Sequence, residues 1–265
     1  MNRLVRDRTS SKPAMAAIMA LCASLSSAQT VIVAAAANLQ PVAPERPAAF
    51  AADNPGMRAE FRFGSTGALA AQIRRGSPDG VFLAADMSSP SALAAEGKTA
   101  GPARAYARGR LVLFMRNGIP LGKGSPCDRA LAALGSEAIR TVAIADPKTA
   151  PYGTAAAQAI SAVGVESAIA PKIVYASNIS QAAQYALGAA DAAFIAASSL
   201  RAEAFSAYAE GSSWCFVDPG LYGAILQGMV LIAADSPSEA AKAFSEFMLG
   251  GDARSILERA GYGAP

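Results

Sequence analysis

Regular hydrophobic patterning begins with an almost unbroken apolar run, Thr30 to Ala36. Such a run without alternation predicts a strand buried on both faces of a mostly parallel sheet. Asn38 follows, placed to cap a helix, and Pro41 suits that helix's first turn. Pro44 and Pro47 do not suit a helix interior, so the helix is expected to be kinked or delayed, ending near residues 53–56. Alternation over Ala59–Phe63 predicts a second strand. The turn Gly64-Ser65-Thr66-Gly67 comes next, then a helix with Leu69 and Ile73 on its apolar face. Ser65 or Thr66 stands where an N-cap belongs. Gly80 to Asp86 reads as a buried strand ending in a carboxylate, and Ser88 to Glu96 as a short helix.

Arg110 to Arg116 predicts the longest strand after the first, closed by Asn117-Gly118-Ile119-Pro120. A second series follows: a helix over 128–134, a strand over 141–145, a helix over 154–163, a strand over 173–175, a helix over 179–187 and a strand over 192–196. Ser213 to Val217 leads into another apolar run, 224–233, and two helices close the chain, over 238–249 and 252–260. Strands alternating with helices of this size define the α/β class. The strands near 110 and 225 are the two places where the chain can cross between lobes. The expected organisation is a first lobe of residues 29–112 with 223–265 and a second of residues 113–222. Ligand sites concentrate in the crevice between such lobes.

Composition changes this picture at the N-terminus. Arg3, Arg6, Arg8 and Lys12 precede an apolar stretch from Pro13 to Leu25 that ends in small residues. This is the pattern of a cleaved secretory signal over residues 1–28, with cleavage near Ala28 and a periplasmic product. The whole chain has 23 basic and 20 acidic residues. The leader holds four of the former and one of the latter (Asp7), leaving 19 of each in the mature chain. The excess basicity belongs to export, and no nucleic-acid partner is expected. There is no histidine, which removes the commonest metal ligand and general base. Cys127 and Cys215 remain in the mature chain, 88 residues apart and outside any metal-binding spacing. An oxidising compartment is compatible with one disulfide or with two buried thiols.

Four segments share one local grammar of apolar strand, small or polar turn and helix start. They are residues 36–39, 64–67, 150–154 and 176–180. Such turns are ordinary in α/β chains, yet strand ends followed by helix N-termini are also where these folds bind ligands. Four converging on one crevice supply backbone N–H and hydroxyl donors without a formal cation. Only Lys148 lies at the edge of one of them. A site of neutral donors with no carboxylate acceptor suits an oxyanion that carries no proton. Asp86 and Asp146 also end strands, but an Asx turn at Asp146 and a cap at Asp86 account for both. With no histidine, no G-x-S-x-G and no phosphate loop, an enzyme is not expected.

These turns, in their order and spacing, resemble the periplasmic molybdate-binding proteins, the solute receptors of ABC importers. The pieces are Val33 to Leu39, Phe63 to Gly67 with Leu69 and Gln72-Ile73, Gly76-Ser77-Pro78 before Val81 to Asp86, Asp146 to Gly153, Asn178-Ile179 with Gln181, and Ala260 to Gly263. The resemblance covers nearly all of the mature chain. It implies a two-lobed type II periplasmic-binding-protein fold without cofactor or catalysis. It also implies capture of molybdate, with tungstate as a near-equal ligand, and delivery to a cognate permease by a monomer. The implied ligand residues are Asn38, Thr66, Tyr152 and Ile179, with Ser65 adjacent. They would hold molybdenum only as its oxyanion, with no protein atom on the metal.

Departures from the family pattern are Asn38 and Thr66 where many members have Ser, Gly80 in place of an Asp, and the early prolines. Ala196 stands where some members place a binding Tyr, so the Tyr152 hydroxyl is expected to compensate. The residues leave open a receptor for sulfate or another oxyanion and, less favoured, an enzyme on the same scaffold.

Overall fold

The computed structural model describes residues 29–232 and 237–265. The expected leader lies outside the described residues. Two five-stranded sheets form, each covered by helices on both faces.

Chain order begins with β1 (Gln29–Ala36), a 3-10 segment (Ala37–Val42) and α1 (Glu45–Asp53). Then come β2 (Met57–Gly64), α2 (Thr66–Arg74), β3 (Val81–Leu83), α3 (Ser88–Ala95), β4 (Arg104–Gly109) and β5 (Leu111–Met115). The middle of the chain gives α4 (Pro126–Ala133), β6 (Val142–Ala145), α5 (Pro151–Ala162), α6 (Glu166–Ile169), β7 (Ile173–Ala176), α7 (Ile179–Gly188) and β8 (Ala192–Ala196). Two strands, β9 (Trp214–Phe216) and β10 (Ile225–Leu231), and two helices, α8 (Glu239–Leu249) and α9 (Gly251–Arg259), complete it.

The first sheet has the order β2-β1-β3-β10-β4 and the second β7-β6-β8-β5-β9. In each, three neighbouring strands are parallel and the other two pairings antiparallel. The strand beside the parallel three is, in both sheets, the first one made after the chain crosses over: β5 in the second, β10 in the first. Each sheet is therefore mostly parallel, as expected, with one reversed strand, β10 in the first and β5 in the second, and that strand carries the crossing. The passage from first sheet to second occupies only Arg110, between β4 and β5. Leu111 and Val112 consequently belong to the second sheet, two residues ahead of the boundary expected from sequence.

The early prolines are accommodated by division. Pro41 lies in the 3-10 segment, Pro44 sits at the N-cap of α1 and Pro47 in its first turn, where a missing N–H removes no helical bond. Asn38 is inside the 3-10 segment, whose N-cap is Ala36, and caps nothing. β4 escapes the hydrophobic pattern because Arg104 and Arg108 interrupt it. Helix α5 starts at Pro151 rather than Thr154, with the proline in the first position that tolerates it.

Cys127 in α4 and Cys215 in β9 are disulfide-bonded, with Cα atoms 5.3 Å apart. Closing an 88-residue loop restricts the unfolded chain by about 4.6 kcal/mol in the entropic account. Replacing both cysteines by alanine should lower the denaturation free energy by up to that amount, read as a shift in the denaturant midpoint. An unchanged midpoint would show that the cross-link contributes nothing.

Candidate functional site

The carboxyl ends of β1, β2 and β3 face those of β6 and β7 across the line where the lobes meet. Between them lies a small cavity lined by Ala36, Ala37, Asn38, Ser65, Thr66 and Ala85 on one side. Ala150, Pro151, Tyr152, Asn178 and Ile179 line the other. The cavity is small, leaving about 10 Å3 to the centre of a water-sized sphere. No Asp, Glu, Lys, Arg or His side chain lines it.

Each wall is a helix start, and a helix start leaves N–H groups without intrahelical partners. Thr66 and Ile179 are the first residues of α2 and α7, Tyr152 the second of α5, and Asn38 the second of the 3-10 segment. Among the described residues, their four backbone N–H groups have no protein acceptor. Small residues let these ends approach. Gly153 packs so tightly under α5 that a Cβ there would overlap the Ala145 carbonyl oxygen and stand 2.7 Å from its carbon.

The structure brings Asn38, Ser65, Thr66, Tyr152 and Ile179 together around this one cavity, but it gives their side chains other tasks than the sequence suggests. Ser65 occupies the N-cap of α2 without a side-chain cap bond and lines the cavity. The Thr66 hydroxyl accepts the Ala85 N–H at 3.0 Å and keeps its proton for donation. Asn38 turns its amide into the first lobe, where Nδ2 donates to Gln227 Oε1 at 2.9 Å and to the Tyr262 hydroxyl at 2.8 Å. The Tyr152 hydroxyl does not stand free to replace the family tyrosine lost at Ala196: it accepts Gln227 Nε2–H at 3.2 Å. Burial, with smaller contributions from Tyr262, Tyr106 and Tyr222, pushes its pKa well above the usual tyrosine range, so it remains neutral.

The lobes touch around the cavity. The Gly67 N–H donates to Thr149 O at 2.9 Å, Ser180 Oγ to Ala37 O at 2.8 Å and Ser198 Oγ to Asn38 O at 2.7 Å. These bonds draw the carbonyl oxygens of Ala37 and Asn38 onto hydroxyl donors, which satisfies acceptors that an anion would meet unfavourably. A neighbouring, wider part of the cleft holds about 370 Å3 and is lined by Asp86, Lys148 and Gln158 among others. Asp86 there accepts the Ser89 N–H at 2.7 Å and Asp146 that of Lys148 at 3.0 Å, the local capping and Asx-turn roles expected of them. Among the described residues, no cluster of three or more His, Cys, Asp or Glu side chains is arranged to hold a metal ion. Gln227, Tyr106 and Tyr262 escaped sequence reasoning. Gln227 lies within an apolar strand, and the only hint was one polar residue in a buried run.

Residues 31–263 match the family of bacterial extracellular solute-binding proteins, and the chain belongs to it. Among its relatives, the molybdate-binding protein ModA of Azotobacter vinelandii is 36% identical over 245 residues, covering 92% of this chain and 93% of that protein. The ModA of Rhodobacter capsulatus is 36% identical over 251 residues, covering 94% of each. The solved periplasmic molybdate-binding protein of Azotobacter vinelandii superposes with a TM-score of 0.77 at 31% identity, over 89% of this chain and 99% of that one. The sulfate-binding protein SubI of Mycobacterium tuberculosis shares the fold, with a TM-score of 0.72 at 15% identity over 88% of this chain and 86% of that one.

Proposed function

We propose that this protein is a periplasmic receptor that captures molybdate, and tungstate nearly as well, and hands it to the permease of an ABC importer. The observation that carries the reading is the small cavity lined by neutral residues and bounded by four unpartnered N–H groups from both lobes. Kinship with molybdate-binding relatives over nearly the whole mature chain supports the choice of anion. Asn38, Tyr152 and Ile179 act through backbone N–H groups, and Thr66 and Ser65 add hydroxyls. Charge-assisted hydrogen bonds of about 1.5–3 kcal/mol each, less the cost of desolvation and closure, are enough to reach the −8 kcal/mol or so of micromolar binding. The protein acts as a monomer without catalysis, after removal of residues 1–28.

Calorimetric titration with molybdate, tungstate, sulfate and phosphate tests this. Molybdate and tungstate should bind far more tightly than phosphate, whose proton finds no carboxylate acceptor. Affinity for molybdate should stay constant from about pH 6 to 9, because no lining group titrates there. Tighter binding of sulfate than of molybdate would overturn the assignment.

Thr66→Ala should weaken anion binding and also strand the buried Ala85 N–H, at a cost of about 1–3 kcal/mol in stability. Thr66→Ser should retain both properties, as judged by titration and denaturant midpoint.

A further inference from the structure

Gln227 is fully buried in β10, on the strand that returns the chain to the first lobe. Its side chain makes three bonds. Oε1 accepts from Asn38 Nδ2 and from the Tyr106 hydroxyl, both at 2.9 Å, and Nε2 donates to the Tyr152 hydroxyl at 3.2 Å. Asn38 belongs to the first lobe's wall of the cavity and Tyr152 to the second's. One amide therefore holds both walls.

Its surroundings are shaped for that contact. A Cβ at Gly109, the last residue of β4, would overlap the Tyr152 hydroxyl and lie 2.8 Å from Gln227 Nε2. The β-ladder between β10 and β4 shifts register between Gln227 and Gly228, a local irregularity of the kind that re-aims a side chain. The chemistry is also selective: a glutamine accepts twice and donates once here. A glutamate has no N–H to give Tyr152, and an aliphatic side chain satisfies none of the three partners.

We propose that Gln227 is a positioning residue for anion binding, a clasp that forms between Asn38 and Tyr152 only when the lobes close. The proposal rests on reading the cavity as an oxyanion site. In the open protein water solvates Gln227 Nε2 and the Tyr152 hydroxyl. Closure replaces that water by the direct bond while aligning the N–H groups of Asn38 and Tyr152 on the cavity. The clasp thus stabilises the closed, liganded state alone, and its loss acts on the rate of release.

The test is stopped-flow and calorimetric measurement of molybdate binding to Tyr152→Phe, Gln227→Leu, the double variant and Tyr106→Phe. Tyr152→Phe buries Nε2 unpaired in the closed state only. Affinity should fall about 5- to 100-fold, almost entirely as faster dissociation, with the melting temperature of the anion-free protein unchanged. The double variant removes both partners and should lose less than the product of the single losses. Tyr106→Phe lies within the first lobe and should lower stability without accelerating release more than about twofold.

Equal loss of anion-free stability in every variant with an unaltered dissociation rate would reduce Gln227 to a packing residue and overturn the proposal. Multiplicative losses in the double variant would do the same. A wild-type protein that binds neither molybdate nor tungstate would instead refute the oxyanion reading itself.

Discussion

Gly153→Ala should both destabilise the protein and weaken anion binding at least tenfold. The added Cβ would overlap the Ala145 carbonyl oxygen and approach the Asp146 carbonyl carbon to 3.0 Å. These are backbone atoms of β6 and its exit, held in register with β7 and β8, so they cannot yield as a flexible side chain would. Overpacking of this kind costs roughly 1–3 kcal/mol or more, and a clash with backbone belongs at the upper end. The relief available is a shift of the α5 N-terminus away from β6. That shift carries the Tyr152 N–H off the cavity and loosens its hydroxyl from Gln227. Loss of one charge-assisted bond, about 1.5–3 kcal/mol, weakens anion affinity at least tenfold. A denaturant titration and a calorimetric titration of the same variant read the two effects. A variant with wild-type values in both would show that the close approach of α5 to β6 is not required.

Arg46→Met is expected to act in the opposite direction on stability. Arg46 is wholly buried in α1, and its Nε and both terminal nitrogens have no hydrogen-bond partner in the described structure. Burial pulls its pKa down, opposed by the neighbouring Tyr262, Tyr106 and Glu45. Glu45 itself pairs with Arg201 and Arg259 instead, at 3.0 and 3.2 Å. A desolvated guanidinium without an acceptor opposes folding, and replacing such a charge by an apolar residue of similar length commonly stabilises by about 1–4 kcal/mol. Arg46→Met should therefore raise the denaturation midpoint. A lower midpoint would mean that the guanidinium is satisfied in solution.

The two α/β lobes were legible because their evidence is local and repeated. Thr30–Ala36 reads as an inner strand, which β1 is, with Val33–Ala36 buried, and the four strand–turn–helix segments recur in both halves. The turns around Asn38, Thr66, Tyr152 and Ile179 were legible for the same reason, since a helix start exposes donors whatever the side chain. The direction of the side chains was not legible. Sequence leaves open whether Asn38 and Tyr152 act through their side chains or only through their backbone N–H groups. Their partners, Gln227 and Tyr262, lie 189 and 224 residues from Asn38, and no local pattern announces such a contact. β4 was hidden by its arginines, because an edge strand exposes one face. Arg46 was hidden because its short local context gives no sign that a charge will be buried.

The proposed site holds an oxyanion by neutral donors from both lobes. A crystal structure of the mature protein grown with molybdate tests it most directly. The anion should lie in the small cavity, within hydrogen-bond distance of the backbone N–H groups of Asn38, Thr66, Tyr152 and Ile179, with no cationic side chain touching it. An anion seated in the wider cleft beside Lys148, with those four N–H groups unengaged, would contradict it.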